Sequence, residues 1–151
     1  MSYKSNKVKW CNYSSEIRSI REQVFIYEYR FSEEQEFDGD DNESEHILVR
    51  DPTGKAIATG RLSRDGKISR VAVLMQYRKK EVGKTVINGL LNIAKERGLK
   101  KVYFDSLLDE VRKYRNQGFI PIGSVYMEAG IAKQPLMCDI ELFKISTTIL
   151  H

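Results

Sequence analysis

The stretch that most constrains this chain runs from Ile68 to Gly98, where a strand-like segment feeds a basic connection and then a strongly periodic helix. Val82, Val86, Leu90, Ile93 and Arg97 recur at helical spacing with Ile87, Leu91 and Ala94 beside them, and Gly98 stands where a C-terminal capping glycine belongs. Between strand and helix lies Tyr77-Arg78-Lys79-Lys80-Glu81-Val82-Gly83-Lys84. A strand that turns through a short loop into a helix aims several free backbone N–H groups and the positive end of the helix dipole at one point, which makes an anion site. Gly83 lets a ligand approach the backbone closely, and Arg78 and Lys84 offer charge-assisted bonds to phosphate oxygens. An ordinary strand-to-helix turn with surface lysines has the same residues, and this window alone leaves both readings open.

Around that stretch the pattern is mixed. Val8 to Tyr13 reads as a short strand, followed by a helix capped at Ser14 or Ser15 whose apolar positions Ile17, Ile20, Val24, Tyr27 and Phe31 form one stripe. The acidic stretch after it has little to bury and reads as a loop. His46 to Val49, Lys55 to Leu62 and Ile68 to Leu74 read as strands joined by turns at Asp51-Pro52-Thr53-Gly54 and Arg64-Asp65-Gly66, which implies an antiparallel meander. Lys101 to Asp105 reads as a strand, Ser106 with Asp109 as a capping box opening a helix to about Asn116, and Ile120 to Met127 and Leu136 to Phe143 as two last strands separated by Gly130 and Pro135. The order describes a mixed α/β (α+β) domain, and 151 residues fit one domain spanning 1–151.

Charge separates along the chain. Eight acidic residues crowd positions 32–45, whereas Arg64, Lys67, Arg70, Arg78, Lys79, Lys80 and Lys84 make 64–84 basic. The basic segment suits a phosphorylated cofactor or a polyanion; nucleic acid is disfavoured because only Tyr77 interleaves the cations and no nucleic-acid-binding motif occurs. No apolar run approaches the length of a membrane span, and Met1 to Lys9 lacks the features of a secretory signal, so the expected compartment is the cytoplasm. Cys11 and Cys138 are expected as buried, reduced thiols, and no metal site is expected.

From Arg18 to Met137 the chain resembles the GNAT N-acetyltransferases, and within them the ElaA-like branch. Arg78 and Gly83 stand at the ends of the superfamily's Arg/Gln, two residues, Gly, one residue, Gly/Ala motif. The resemblance extends to Val24-Phe25, Glu36-Phe37-Asp38, Asp41, His46, Thr59-Gly60-Arg61-Leu62, Arg70-Val71-Ala72-Val73, Tyr114 ahead of Gly118-Phe119, and Glu128-Ala129-Gly130-Ile131. It implies the GNAT acyl-CoA N-acyltransferase fold, a central mixed, mostly antiparallel sheet flanked by helices. It further implies acetyl-CoA as co-substrate, with its pantetheine arm along Val71, Ala72 and Val73 and its pyrophosphate in the amides from Arg78 through Lys79, Lys80, Glu81, Val82 and Gly83 to Lys84. The acceptor it implies is a primary amine of a small molecule or peptide; a homodimer is allowed by a sequence that carries no signal for or against it.

Tyr114 matches the family's general acid, which protonates the leaving thiolate; the alternative is a packing tyrosine. His46 is the candidate to take a proton from the amine, or else a structural hydrogen-bonding residue. Glu36, Asp38 and Asp41 either attract a cationic amine or belong to a solvated loop, and Glu128 either faces the acceptor or is an exposed strand-end carboxylate. Departures from the family are Glu81 at its first glycine, Lys113 before the tyrosine, Asp105-Ser106-Leu107 in place of Asn-Ala-Gln, and Lys133 near its histidine. Glu81 is expected in the first helical turn, where the macrodipole favours a carboxylate. Glu81 and the altered triplet keep open a non-catalytic CoA-binding or regulatory GNAT module, and a similar Phe25 to Leu62 pattern keeps open an acyl-homoserine-lactone synthase-like enzyme that would bind S-adenosylmethionine.

Overall fold

The computed structural model describes residues 3–142. Among these residues one sheet carries eight strands: β1 Lys4–Val8, β2 Glu45–Arg50, β3 Ala56–Leu62, β4 Lys67–Val73, β5 Lys101–Leu107, β6 Phe119–Pro121, β7 Tyr126–Glu128 and β8 Ile131–Asp139. Their order is β1-β2-β3-β4-β5-β8-β6, with β7 also on β8. Every pairing is antiparallel except β4 with β5. The meander expected from the three turn-separated apolar runs is β2-β3-β4.

Helix α3, Val82–Glu96, forms the densest part of the core, burying Val82, Val86, Ile87, Leu90, Leu91, Ile93 and Ala94 against β2, β3 and β4. Each of the Val, Leu and Ile side chains among them contributes about 1.5–3 kcal/mol by leaving water. Contact is close enough that a Cβ on Gly60 of β3 would lie 2.5 Å from Val86 Cγ1 and 2.9 Å from Leu90 Cδ1. Glycine there is a packing requirement. Past the helix, Gly98 adopts φ +77°, the left-handed closure expected of it.

Several element boundaries differ from the sequence pattern for identifiable reasons. The first strand is Lys4–Val8 rather than 8–13, because an edge strand whose side chains are mostly exposed is held by backbone pairing to β2 and shows no apolar alternation. Helix α1 therefore starts at Trp10, without a side-chain cap, and runs to Arg21. It then widens into a π-helix, Glu22–Glu28, which breaks the 3.6-residue period; Val24 stays buried while Tyr27 is 69% exposed. Cys11 is exposed on α1, against the expectation that both thiols are buried, and Cys138 is buried.

Ser106 caps nothing. It lies within β5, fully buried, and its hydroxyl donates to the Leu107 carbonyl, while α4, Val111–Arg115, begins after a 3-10 turn at Leu108–Glu110 without a side-chain cap. The 120–127 strand is split into β6 and β7, since Pro121 ends one and Gly123 turns at φ +64° before the other. Pro135 sits inside β8 instead of ahead of it, and Phe143 lies outside the described residues. No helix among the described residues is long and apolar enough to cross a membrane.

Candidate active site

Strands β4 and β5 run side by side for only two rungs, Lys67 with Tyr103 and Ile68 with Phe104. Beyond them β4 continues to Val73 paired to β3 alone, and β5 continues to Leu107 paired to β8 alone. Two parallel strands that share their starts and not their ends enclose a wedge, and the inner edge of each carries unpaired backbone groups. A bulge contributes to the parting: the β3–β4 register shifts between Thr59 and Arg61, and Arg70 opposite adopts φ 54°.

The direction of the β4 backbone follows from one bond. The Leu74 amide donates to Ile57 of β3, so by alternation Ala72 also addresses β3 while Val71 and Val73 turn their N–H and C=O groups to the wedge. These are positions along which the family resemblance implies the pantetheine arm. The Val73 carbonyl already accepts from Arg78 Nε at 2.9 Å.

From the end of β4 the chain passes through a 3-10 segment, Met75–Lys80, into α3. Two side chains bolt this loop down. Tyr77 donates its hydroxyl to Asp51 at 2.8 Å, tying the loop to the β2–β3 turn. Arg78 donates Nη1 and Nη2 to Glu28 of the π-helix at 2.5 and 2.6 Å, which holds the Glu28 carboxyl below its ordinary range. Lys79 and Lys80 occupy the 3-10 segment just ahead of the helix.

Glu81 is not in the first helical turn. It precedes α3 in the left-handed region, φ 61° and ψ 20°, with Lys84 Nζ 3.6 Å from its carboxylate. The amides of Lys84 and Thr85 close back on the Glu81 carbonyl, so those of Val82 and Gly83 have no intrahelical acceptor. At Gly83 an added Cβ would make only ordinary contact, 3.9 Å from Val73 Cγ2. The protein's own packing thus does not require glycine there, and the side chain that Gly83 lacks leaves room beside the helix N-terminus for an anion.

Tyr114 of α4 is 9% exposed and packs edge-on against Phe104 and Phe119 at 5.0 and 5.9 Å. Phe104 belongs to the last β4–β5 rung, which puts the tyrosine beneath the point where the wedge begins. Burial pushes its phenol up to about 12. It therefore stays protonated through neutral pH, and no hydrogen-bond partner of its hydroxyl is recorded among the described residues.

His46 is fully buried beneath Trp10, with ring centroids 5.5 Å apart. Its Nε2–H donates to the Asp41 carbonyl at 2.9 Å, Nδ1 has no partner, and burial lowers its pKa. A proton acceptor for an amine must come within hydrogen-bond reach of it. This ring faces no solvent, and its geometry is that of a neutral wall residue.

The acidic segment, expected as a solvated loop, opens with the short helix α2, Glu33–Glu36, and leaves Glu33, Glu34 and Asp40 exposed, but it buries Glu36 and Asp41 in an ion-pair network. Arg21, Glu36 and Asp41 are 0, 3 and 4% exposed, with Arg21 Nε 2.6 Å from Glu36 Oε2 and Nη1 2.7 Å from Asp41 Oδ1. Arg61 grips Asp38 through two bonds and reaches Asp41 at 3.2 Å; Arg70 adds bonds to Asp38 and to the Gln35 and Glu36 carbonyls. Desolvation raises the Glu36 pKa against the pull of Arg21, while the Arg61 hydrogen bonds hold Asp38 well below the usual carboxylate range. Residues 33–41 thus form one fixed wall beside β4. Glu128 is exposed at the end of β7 and pairs with Lys133 at 2.8 Å.

Residues 6–140 match the model of the acetyltransferase (GNAT) domain. The chain belongs to the GNAT acetyltransferase family. An uncharacterized N-acetyltransferase of Bacillus subtilis, YjcF, is 31% identical over 124 residues, covering 80% of this chain and 88% of that protein. The fold is similar to that of Escherichia coli ElaA, with a TM-score of 0.79 at 23% identity over 91% of this chain and all of that one. It is similar also to an acyl-CoA N-acyltransferase from Pseudomonas aeruginosa, with a TM-score of 0.80 at 21% identity over 91% and 99% of the two chains. As a GNAT protein the chain is an acyltransferase that takes an acyl-CoA as co-substrate.

Proposed function

We propose that this GNAT enzyme transfers the acetyl group of acetyl-CoA to a primary amine of a small molecule or peptide. The observation that carries the reading is the β4–β5 wedge opening beside the N-terminus of α3. The Val82 and Gly83 amides would receive the pyrophosphate, and the Val71 and Val73 backbone the amide-bearing pantetheine arm. That arm would lie extended along β4 and bring the thioester toward the first rungs.

There the unprotonated amine nitrogen attacks the thioester carbonyl carbon, the C–S bond breaks, the Tyr114 hydroxyl gives its proton to the departing sulfur, and the proton that the nitrogen sheds as the amide forms restores the Tyr114 phenol through solvent. An ordinary phenol lies within about two pKa units of a thiol; burial of Tyr114 widens that gap and disfavours the tyrosinate, so the donated proton has to be replaced by the one leaving the nitrogen. Positioning and proton transfer suffice, with no covalent enzyme intermediate. Arg78 serves this site as a strut, because its guanidinium is already divided between Val73 and Glu28.

Two measurements test the reading. Acetyl-CoA at about a hundred times its dissociation constant should stabilise the fold by about 2.7 kcal/mol. Free-thiol release over a panel of amines, polyamines, amino acids and peptides then identifies the acceptor. No thermal shift at millimolar acetyl-CoA rejects the reading; a shift without turnover of any amine reduces the chain to a CoA-binding module, and stabilisation by S-adenosylmethionine would redirect it to lactone synthesis.

A further inference from the structure

Asp105 is the first residue of β5 past the last rung shared with β4, and its neighbour Phe104 points to Tyr114. By strand alternation Asp105 projects from the opposite face, so the proton donor and this carboxylate flank the start of the wedge from two sides. One carboxylate oxygen is committed twice: Oδ2 accepts from Lys67 Nζ at 2.7 Å and from the Tyr126 hydroxyl at 2.8 Å. For Oδ1 no partner is recorded among the described residues, and it is absent from the fully buried unpartnered atoms, so it keeps access to solvent. The side chain is 23% exposed. Lys67 carries a primary ammonium, and the protein already holds that ammonium on this carboxylate.

Resting on the function proposed above, we propose that Asp105 recognises the ammonium group of the acceptor at the wedge, with Lys67 as its internal competitor and Tyr126 fixing the carboxylate. The pinned Oδ2 sets the plane of the carboxylate, and Oδ1 receives an N–H of the incoming amine. Lys67 shares the same anion, so it repels a second positive charge placed close to the first. The acceptor class this selects is a primary amine without another cation beside it. Neither Glu36 nor Asp41 competes for the amine, since both are sealed by Arg21.

The test exploits a difference in sign. If Lys67 and Asp105 form only a structural salt bridge, replacing either one breaks the same bond and both changes act alike. Recognition requires opposite effects on the amine that the wild type turns over. Asp105→Asn should raise its KM by about ten- to a hundred-fold, the range for a hydrogen bond to a charged group, while Lys67→Met lowers it by about threefold or more. The KM for acetyl-CoA should stay unchanged in both.

A binding measurement stands apart from turnover and from folding of the variants. n-Propylammonium, at about 10–100 mM, should shift the Asp105 carboxyl carbon resonance of the wild-type protein saturably. Asp105→Asn, checked for an intact melting transition, assigns that resonance. No saturable shift, or substitutions that weaken amine use in the same direction, overturns the proposal. Failure of acetyl-CoA to bind would count against the function proposed above and leave the n-propylammonium result to be judged separately.

Discussion

Arg78 and Glu28 face each other through a two-bond fork, 2.5 and 2.6 Å, that joins the loop ahead of α3 to a π-helix fifty residues earlier in the chain. Both side chains are partly exposed, 33 and 26%. The ion pair alone is therefore worth about 1 kcal/mol or less. Its consequence is positional, because the same guanidinium also ties down the Val73 carbonyl.

Arg78→Ala is expected to weaken acetyl-CoA by about tenfold or more, since the loop loses both its tie to β4 and its tie to the π-helix. Glu28→Gln, which leaves the Val73 bond in place, should change affinity by no more than about threefold and stability by about 1 kcal/mol or less. Calorimetric titration of both proteins checks this. Equal losses from the two would mean that the charge of Glu28, and not the strut, is what the site uses.

Arg21 is the residue whose removal should cost most. It is buried with two carboxylates on it, and taking away one partner of such a network strands the others without solvent. Arg21→Ala should destabilise by about 3–5 kcal/mol and lower the melting temperature by roughly 10 °C. Chemical denaturation measures the loss. A cost under about 1 kcal/mol would show that the acidic wall is solvated after all.

The sequence made α3, the meander and the Val73–Val82 connection legible because burial there follows period and turn chemistry, both of which are local. What it hid was long-range. Glu36 and Asp41 look like members of a solvated acidic run until Arg21, 15 and 20 residues away in sequence, closes on them. One signal was present: Arg21 falls on the Ile17, Ile20, Val24 stripe, and a charge on an apolar stripe demands a buried partner. The parting of β4 from β5 left no local trace, and neither did the π-helix that exposes Tyr27. Asp105 was visible only as an unexpected residue in the Asp105-Ser106-Leu107 triplet; its pairing with Lys67 and Tyr126 depends on which strands become neighbours.

Tyr114→Phe separates proton donation from packing, since the ring stays against Phe104 and Phe119. Turnover should fall by about a hundredfold with acetyl-CoA affinity retained. The alkaline limb of stability should move as well. Above about pH 10 the unfolded chain ionises this phenol, whereas the folded chain holds the proton up to about 12. Tyr114 thus contributes a loss of about 2–3 kcal/mol as pH rises through that window, beside the losses from Cys138, Tyr77 and Tyr126, and its share should be absent in Tyr114→Phe. Unchanged turnover would leave Tyr114 a packing residue.

Glu81 pairs a residue type with a conformation that disfavours it. At φ 61° its Cβ crowds the adjoining carbonyl, at roughly 1–2 kcal/mol relative to the right-handed region, and glycine avoids that cost. A glycine also loses more entropy on folding, so the net gain from Glu81→Gly is expected at about 0.5–1 kcal/mol of added stability. This reverses what a carboxylate in the first helical turn would imply, where glycine would destabilise. Affinity for acetyl-CoA should change by a few-fold at most, because the half-exposed carboxylate leans on Lys84 and salt screens what remains. Thermal melts and titrations at low and high salt decide both parts. A destabilised Glu81→Gly protein would show that the left-handed turn is held by the glutamate side chain itself, and a tenfold tightening largest at low salt would show that its charge faces the coenzyme's phosphates.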